Sequence, residues 1–118
     1  MKKIEALIRP VKLDSVKAAL AQAGITGMTV TPIRGYGRQK GHVETYRGAT
    51  KAVEFQTKVK LEVILPNEQA EAIATTILEQ AKTGKIGDGK LFVMPVDRSV
   101  RIRTGEADFS PSADRPES

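Results

Sequence analysis

The sequence predicts an α+β fold in which four strands and two helices follow the order βαββαβ. The prediction depends on two kinds of periodicity. Residues 58–65 alternate apolar and polar side chains, which is typical of a strand with one buried face. Two other segments repeat apolar residues at three- and four-residue spacing, as a helix with one buried face does. With 118 residues and 40% hydrophobic content, the chain suits a single compact domain.

The first strand and the first helix are predicted near the N-terminus. Residues 2–8 form the strand, which ends before Pro10 because proline lacks the N–H that a sheet requires. The helix begins at Leu13, runs for about three turns and stops at Gly24, because glycine favours helix termination. Its apolar positions are Leu13, Val16, Leu20 and Ala23.

The second and third strands are predicted in the middle of the chain. Residues 28–34 are rich in β-branched side chains, and Pro32 within them indicates a sheet edge or a bulge. Residues 58–65 form the third strand. Its core face carries Val59, Leu61, Val63 and Leu65, and its solvent face carries Lys58, Lys60 and Glu62.

A second helix and a fourth strand complete the predicted fold. The helix opens at Pro66 and Asn67, and residues 91–96 form the strand. The order βαββαβ folds most simply as an antiparallel sheet with both helices on one face, the ferredoxin-like arrangement. The apolar stripe of the second helix consists of Ala70, Ile73, Ala74, Ile77, Leu78 and Ala81.

Two segments lie outside this pattern. Residues 37–55 are far longer than a hairpin loop and rich in glycine and charge, so we expect a mobile loop that is functional or disordered. Residues 107–118, rich in Ser, Pro and acidic side chains, are expected to be a disordered tail unless Phe109 finds a pocket.

Composition restricts the class of protein. The chain has no cysteine, so disulfides and thiolate metal sites are excluded and a cytoplasmic location is expected. Neither a secretory signal nor a membrane-spanning run is predicted. The net charge of +5 would help attract phosphate-bearing or otherwise acidic partners, although a solvated basic surface is the simpler explanation of the charge alone.

The glycine stretch TGKIGDGK, residues 83–90, is the most unusual local feature. It satisfies G-x-x-x-x-G-K, but Leu91 stands where a P-loop needs Ser or Thr, and the stretch leads from helix to strand instead of strand to helix. Residues 35–41 also miss the dinucleotide fingerprint, since Lys40 replaces its last glycine. Both stretches nevertheless allow backbone N–H groups to converge on an anion.

Cations accompany the two glycine stretches. Arg101 and Arg103 are two residues apart, so in an extended chain both guanidinium groups would project from one face and suit a polyphosphate. Lys90 and Arg38 add two further cations near the expected strand ends. The alternatives are that Gly84 only caps the second helix, that G-D-G at residues 87–89 only turns the chain, and that the arginines protect an exposed edge.

Together these segments resemble the PII nitrogen-regulatory signalling family over residues 1–106. TGKIGDGK and RIRTGE, with GITGMTV, GYGRQKGH and YRG upstream, occur in that family's order and spacing. The resemblance implies a homotrimer of ferredoxin-like subunits with ATP or ADP in each cleft between neighbours. It also implies 2-oxoglutarate bound beside ATP through Mg²⁺, and a T-loop at residues 37–55 that docks on target proteins.

The resemblance also implies roles for individual residues. The adenine and ribose would contact Leu7, Thr29, Gly35, Gly37 and Ile64. The phosphates would meet Arg38, Gly87, Gly89, Lys90, Arg101 and Arg103, with Thr83 and Asp88 beside them. The 2-oxoglutarate would be held by Lys58, by Gly87 and by the backbone of Arg38, Gln39, Lys40 and Gly41, and Gln39 would ligate Mg²⁺. Target proteins would contact Tyr46 and Arg47.

The chain departs from the family pattern in the T-loop. Lys51 occupies the position of a modifiable tyrosine and Ala49 that of a phosphorylatable serine, so both switches are missing. Tyr46 remains as a target contact or modification site. Arg47 resembles the residue that relatives insert into an ammonium-channel pore, so the implied partners are an ammonium transporter, reached peripherally at the membrane, or a metabolic enzyme.

The function expected from the resemblance is that of a regulator whose affinity for its targets changes when it binds small-molecule ligands. Two other functions compete with it. RNA-recognition domains share the element order, but they need stacking aromatics that the third strand lacks. An enzyme would need a base, and Glu62 acting on water at a bound triphosphate is the available candidate for slow hydrolysis. We therefore expect a protein that is not an enzyme, and the alternatives are a PII-like ATP-binding regulator with a different effector or weak ATPase activity, or a nucleic-acid-binding domain.

Overall fold

The computed structural model describes residues 1–36 and 55–108. The elements follow the predicted order βαββαβ, with a short 3-10 turn at Pro10–Lys12 between the first strand and the first helix. Their bounds are β1 Lys2–Ile8, α1 Leu13–Gln22, β2 Thr29–Tyr36, β3 Phe55–Leu65, α2 Asn67–Ala81 and β4 Lys90–Pro95.

The four strands form one antiparallel sheet in the order β2-β3-β1-β4. Strand β1 is central, and its Glu5 lies opposite Glu62 of β3 on one side and Phe92 of β4 on the other. In the described residues β2 pairs with β3 alone, so Pro32 lies in an edge strand, where its missing N–H removes no bond to a second neighbour. This arrangement confirms the predicted ferredoxin-like fold.

One face of the sheet forms the core with the two helices. Side chains of β1 and β3 alternate between this face and the opposite one, and buried residues of both helices join the core. The largest fully buried side chains are Ile4, Val16, Leu20, Leu61, Leu65 and Ile77. The opposite face, here called the open face, carries the odd-numbered residues of β1 and the even-numbered residues of β3 and β4.

Several element boundaries and one core residue differ from the sequence prediction. Helix α1 ends at Gln22, so Ala23 is exposed, and β3 begins three residues earlier than predicted. Leu78 was expected in the core, but it is 54% exposed. The reason is that Leu78 borders a groove between α2 and the edge strand β4, beyond the sheet area that the helices cover.

Neither helix of the described residues has the length and apolarity to cross a membrane. Helix α1 has 10 residues and α2 has 15, whereas a spanning helix needs about 20 apolar residues.

Two leucines of the helices offer a matched test of this core. Leu20 is fully buried and Leu78 is half exposed. We expect Leu20→Ala to lower the free energy of unfolding by about 2–5 kcal/mol, because it leaves a cavity, and Leu78→Ala to lower it by about 1 kcal/mol or less. Chemical denaturation measures both. Equal losses would contradict the packing described above.

Candidate functional site

The glycine loop, residues 83–90, is organised around the carboxylate of Asp88. Its Oδ2 accepts backbone N–H groups from Thr83 at 2.8 Å and Gly84 at 2.9 Å. Its Oδ1 accepts the Arg9 Nε–H at 2.9 Å and the Thr83 hydroxyl. The Thr83 hydroxyl oxygen in turn accepts the backbone N–H of Lys85 at 3.1 Å. A single carboxylate therefore fixes both ends of the loop.

These donors stabilise the charged form of Asp88. The Thr83 hydroxyl, followed by the Arg9 guanidinium and the two backbone N–H groups, holds the pKa of the Asp88 carboxyl well below its ordinary value of 3.8. Asp88 is accordingly an anion whose charge is compensated by the protein. It acts as a structural centre of the loop, and its negative charge is turned toward donors of the chain itself.

Arg9 is a site residue that the sequence analysis missed. It follows the last residue of β1, and besides Asp88 its guanidinium Nη2 donates to the carbonyl oxygen of Ile86 at 2.9 Å. The predicted topology could have indicated it. Because β1 and β4 are antiparallel, the end of β1 lies beside the start of β4 and the loop that precedes it. Arg9 thus joins the loop to the centre of the sheet.

Gly89 lies against the backbone of β1. Its φ is +111°, which L side chains rarely adopt, and an added Cβ would overlap the carbonyl oxygen of Leu7 and lie 2.9 Å from its carbonyl carbon. Gly87 also has a positive φ, of 100°. The bare backbone that the sequence displays here is therefore required by a close approach to Leu7 and by the shape of the turn.

A groove of about 350 Å³ adjoins the loop. Its apolar wall comes from β1 and α2, and its rim carries the end of the glycine loop and two lysines. The lining residues are Ala6, Leu7, Ile8, Ile77, Leu78, Ala81, Lys82, Asp88, Gly89, Lys90 and Leu91. An apolar wall with a charged and glycine-rich rim suits a ligand that has an apolar body and an anionic end.

The open face brings two predicted lysines to the same end of the sheet as the loop. Lys90 pairs with Leu7 across β1 and β4, and Lys58 lies next to Arg9 in the β1–β3 register. Partial burial and then the charge of Arg9 lower the pKa of the Lys58 ammonium group, while Asp88 opposes this shift. Leu7, Lys58, Asp88, Gly89 and Lys90 therefore lie at the same end of the sheet.

Thr29 and Ile64 lie elsewhere on the sheet. Thr29 begins the edge strand β2, opposite Glu62. Ile64 lies four residues along β3 from Lys60, the partner of Leu7, which corresponds to about 13 Å in an extended strand. Gly35 lies near the end of β2, opposite Gln56. One chain alone does not gather the residues predicted for adenine and ribose around Leu7.

The expectation for Arg101 and Arg103 is wrong in its geometry. Residues 102–104 form a turn, not an extended chain, because the Arg101 N–H bonds to the Glu106 carbonyl at 2.9 Å and the Gly105 N–H to the Arg101 carbonyl at 2.7 Å. These residues belong to a C-terminal hairpin, residues 99–108, with a bridge between Val100 and Ala107. Its last two residues lie beyond the boundary predicted at residue 106.

The remaining predicted site residues lie outside the described part of the chain. They are Gly37, Arg38, Gln39, Lys40, Gly41, Tyr46 and Arg47. Residues 1–36 and 55–108 contain no group of three His, Asp or Glu side chains arranged to hold a metal ion.

Glu62, the candidate base, belongs to an ion-pair cluster on the open face. Lys3 Nζ lies 3.0 Å from a carboxylate oxygen of Glu62 and 3.1 Å from one of Glu5. The hydrogen bond from Lys3 lowers the pKa of the Glu62 carboxyl, and this makes Glu62 a weaker base.

The fold and the site define a ferredoxin-like domain whose glycine loop is held by hydrogen bonds to the Asp88 carboxylate. Comparison with known proteins gives the family. The model described as Nitrogen regulatory protein P-II matches residues 1–106. Nitrogen regulatory protein P-II 1 of Escherichia coli K12 is 58% identical over 108 residues, which cover 92% of this chain and 96% of that protein. The chain therefore belongs to the P-II family of nitrogen regulatory proteins.

Further relatives agree with this assignment. Nitrogen regulatory protein P-II of Haemophilus influenzae is 59% identical over 106 residues, covering 90% of this chain and 95% of the relative. A crystal structure of Arabidopsis thaliana PII bound to citrate superposes with a TM-score of 0.72 at 41% identity, covering 91% of this chain and 87% of that one. The family is one of regulatory signalling proteins, and its structural neighbour shares the fold described above.

Gly89→Ala tests the close approach to Leu7. The added Cβ must displace the β1 backbone or the loop, so we expect the variant to lose about 1–3 kcal/mol in the free energy of unfolding. It should also lose hydrogen-exchange protection at Thr83 and Gly84. Gly27→Ala is the matched control, because its added Cβ meets nothing within 4 Å. If both variants behaved alike, Gly89 would not be sterically required.

Asp88→Asn tests the pH dependence of the loop. The native pKa of Asp88 is depressed, so its stabilising contribution is complete above the ordinary pKa of 3.8 and is lost as pH falls below it, because the unfolded chain then binds the proton first. We expect the variant to be less stable than the wild type at neutral pH, and the gap to narrow between about pH 4 and pH 2. Asp97→Asn controls for loss of one exposed carboxylate. A gap that stayed constant with pH would contradict the assignment.

Proposed function

We propose that this protein is a signal-transducing regulator that binds ATP or ADP competitively and binds 2-oxoglutarate together with Mg-ATP. The bound state would change the conformation of residues 37–55 and thereby the affinity for target proteins of nitrogen or carbon metabolism. The observation that carries the proposal is the glycine loop fixed by Asp88 beside Leu7, Lys58 and Lys90. Family membership supports the regulatory role.

The phosphate part of the proposal depends on preorganisation. Asp88 and Arg9 hold the loop in one conformation before any ligand arrives, so phosphate binding needs little further ordering of the backbone. Because the charge of Asp88 is already compensated, it opposes an anion less than a free carboxylate would. Lys90, exposed at the rim of the groove, supplies a cation for the phosphates.

The 2-oxoglutarate part depends on Lys58. Its ammonium group is partly buried and lies near Arg9, whose positive charge disfavours a second cation, while Asp88 offsets part of that repulsion. A ligand carboxylate close to both would relieve this repulsion. The citrate bound to the Arabidopsis PII protein is itself a carboxylate ligand, which supports a carboxylate effector for this chain.

The positions of the arginines support a homotrimer with clefts shared between neighbours. The glycine loop precedes β4 and the C-terminal hairpin follows it, so the six residues of β4 separate them by about 17 Å along the strand. We infer that Arg101 and Arg103 reach the phosphates from a second copy of the chain. Thr29, Gly35, Gly37 and Ile64 would contact adenine and ribose in the same shared cleft.

Mg²⁺ fits this scheme because of its ligand preferences. It takes few protein ligands and relies on substrate phosphates, so the absence of an acidic cluster in residues 1–36 and 55–108 agrees with a site built on the nucleotide. Gln39 would add its amide oxygen, and the backbone of Arg38, Lys40 and Gly41 would hold 2-oxoglutarate. When bound, the ion would supply positive charge that stabilises the phosphates and the effector carboxylate.

Signalling then requires only binding linkage. Gln39 and Lys58 flank the two ends of residues 37–55, so an effector held by both would restrict the base of the loop that carries Tyr46 and Arg47. A coupling free energy of about 1–3 kcal/mol changes target affinity about 5- to 150-fold.

Weak ATP hydrolysis is the second candidate function. Glu62 would be its base, but the ion pair with Lys3 supports a structural role instead. Steady-state phosphate release measures it, and turnover near about 1–1000 per second would displace the regulatory proposal. Nucleic-acid binding has less support, since Phe92 is the one aromatic side chain on the open face among the side chains that the structure describes.

Calorimetric titration tests the proposed function. We expect the wild type to bind ATP and ADP competitively and to bind 2-oxoglutarate only with Mg-ATP. Lys58→Met should weaken 2-oxoglutarate binding about tenfold or more, because a charge-assisted hydrogen bond is lost, and should leave ATP binding largely intact. Lys17→Met, an exposed position on α1, is the control. A wild type that bound no nucleotide would refute the proposal.

Hydrogen exchange of residues 37–55 tests the signalling step separately. Protection there should change when ATP, Mg²⁺ and 2-oxoglutarate are added together. Nucleotide binding without any change in this segment would leave the ligand site standing and overturn the proposed switch.

A further inference from the structure

The C-terminal hairpin contains a second carboxylate, that of Asp108, which accepts hydrogen bonds from two side chains. None of the roles predicted above involves it. Asp108 Oδ1 accepts the Arg101 Nε–H at 3.0 Å, and Oδ2 accepts the Ser99 hydroxyl at 2.6 Å. The Asp108 N–H also bonds to the Ser99 carbonyl at 2.8 Å. The carboxylate is therefore held by its own backbone and by Ser99, and it fixes the position of the Arg101 guanidinium.

The contact uses only one donor of Arg101. A guanidinium has five N–H donors, and the two terminal nitrogens carry four of them. In the described residues the guanidinium of Arg101 has no partner other than Asp108, and its side chain is 61% exposed. The two terminal nitrogens, which form bidentate contacts with phosphate, are left facing solvent.

We propose that Asp108 is a positioning residue that presents the terminal N–H fork of Arg101 to the phosphates of a nucleotide. This inference rests on the proposed function, because it takes Arg101 as a phosphate ligand. An arginine side chain loses rotamer freedom when it binds, so a guanidinium oriented in advance binds with a smaller entropic loss. Asp108 accepts from Nε and leaves the two terminal nitrogens available, and these are the nitrogens that would bind a phosphate.

The opposite role would be competition, in which the Asp108 carboxylate holds Arg101 away from the nucleotide. The two roles predict opposite signs. If Asp108 positions Arg101, its removal weakens ATP binding, although one negative charge near the phosphates disappears. If it competes, removal strengthens ATP binding, because both the competing contact and the charge are gone.

Two substitutions of Asp108 and one control separate these outcomes by calorimetry with Mg-ATP. Asp108→Ala should weaken ATP binding about tenfold, whereas Asp108→Asn, whose amide oxygen can still accept from Nε, should retain most of the affinity. Glu106→Ala removes a carboxylate from the same hairpin, where Glu106 contributes backbone hydrogen bonds alone among the described residues. It should not weaken binding. Equal or tighter binding by Asp108→Ala would overturn the proposal.

A double-mutant cycle shows whether Asp108 acts through Arg101. In an Arg101→Ala background, Asp108→Ala should cause no further loss of affinity. An equally large loss in both backgrounds would mean that Asp108 supports the hairpin generally, and that result would also overturn the proposal.

The Nε–H resonance of Arg101 provides a readout that is independent of nucleotide. It should be protected from solvent exchange in the wild type and in Asp108→Asn, and unprotected in Asp108→Ala. If the wild type binds no ATP while this protection is present, the proposed function fails and the positioning role fails with it. If the wild type binds ATP and Asp108→Ala binds equally well, the positioning role alone fails.

Discussion

The hydrogen bonds to the Asp88 carboxylate are the interaction on which the site depends. They collect donors from two successive residues of the loop and from Arg9 at the end of the central strand. Loops with several glycines have large conformational entropy, and a buried apolar anchor is not available here, since Ile86 is 91% exposed. A charged network therefore substitutes for hydrophobic packing in holding the loop.

Beyond each end of strand β4 lies a carboxylate that holds an arginine side chain. Asp88 precedes the strand and accepts the Nε–H of Arg9 and a threonine hydroxyl, whereas Asp108 follows it and accepts the Nε–H of Arg101 and a serine hydroxyl. In both cases a carboxylate orients a guanidinium through its Nε–H, the donor that is not part of the pair of terminal nitrogens. The difference lies in the remaining donors: Arg9 uses Nη2 to bond Ile86, and Arg101 leaves its terminal nitrogens to solvent.

The open face of the sheet separates two electrostatic environments. Near the glycine loop, Lys58 and Arg9 place two cations close together, and the Asp88 carboxylate offsets part of their charge. Farther along β1, Lys3 bridges Glu5 and Glu62, which lie directly opposite each other and would otherwise repel. One end of the face therefore carries excess positive charge, whereas the charges in the middle are neutralised within the chain.

The sequence alone determined the element order and the buried face of β3, because these follow from periodicity and from antiparallel topology. It could not reveal Arg9, whose partners lie 77 and 79 residues away, or the exposure of Leu78, which depends on where the helices stop covering β4. It also misjudged Arg101 and Arg103, since a two-residue spacing indicates one face only if the chain is extended. Tertiary structure decided these points because each depends on contacts between segments distant in sequence or on a turn closed by backbone hydrogen bonds of Arg101, and local patterns contain neither.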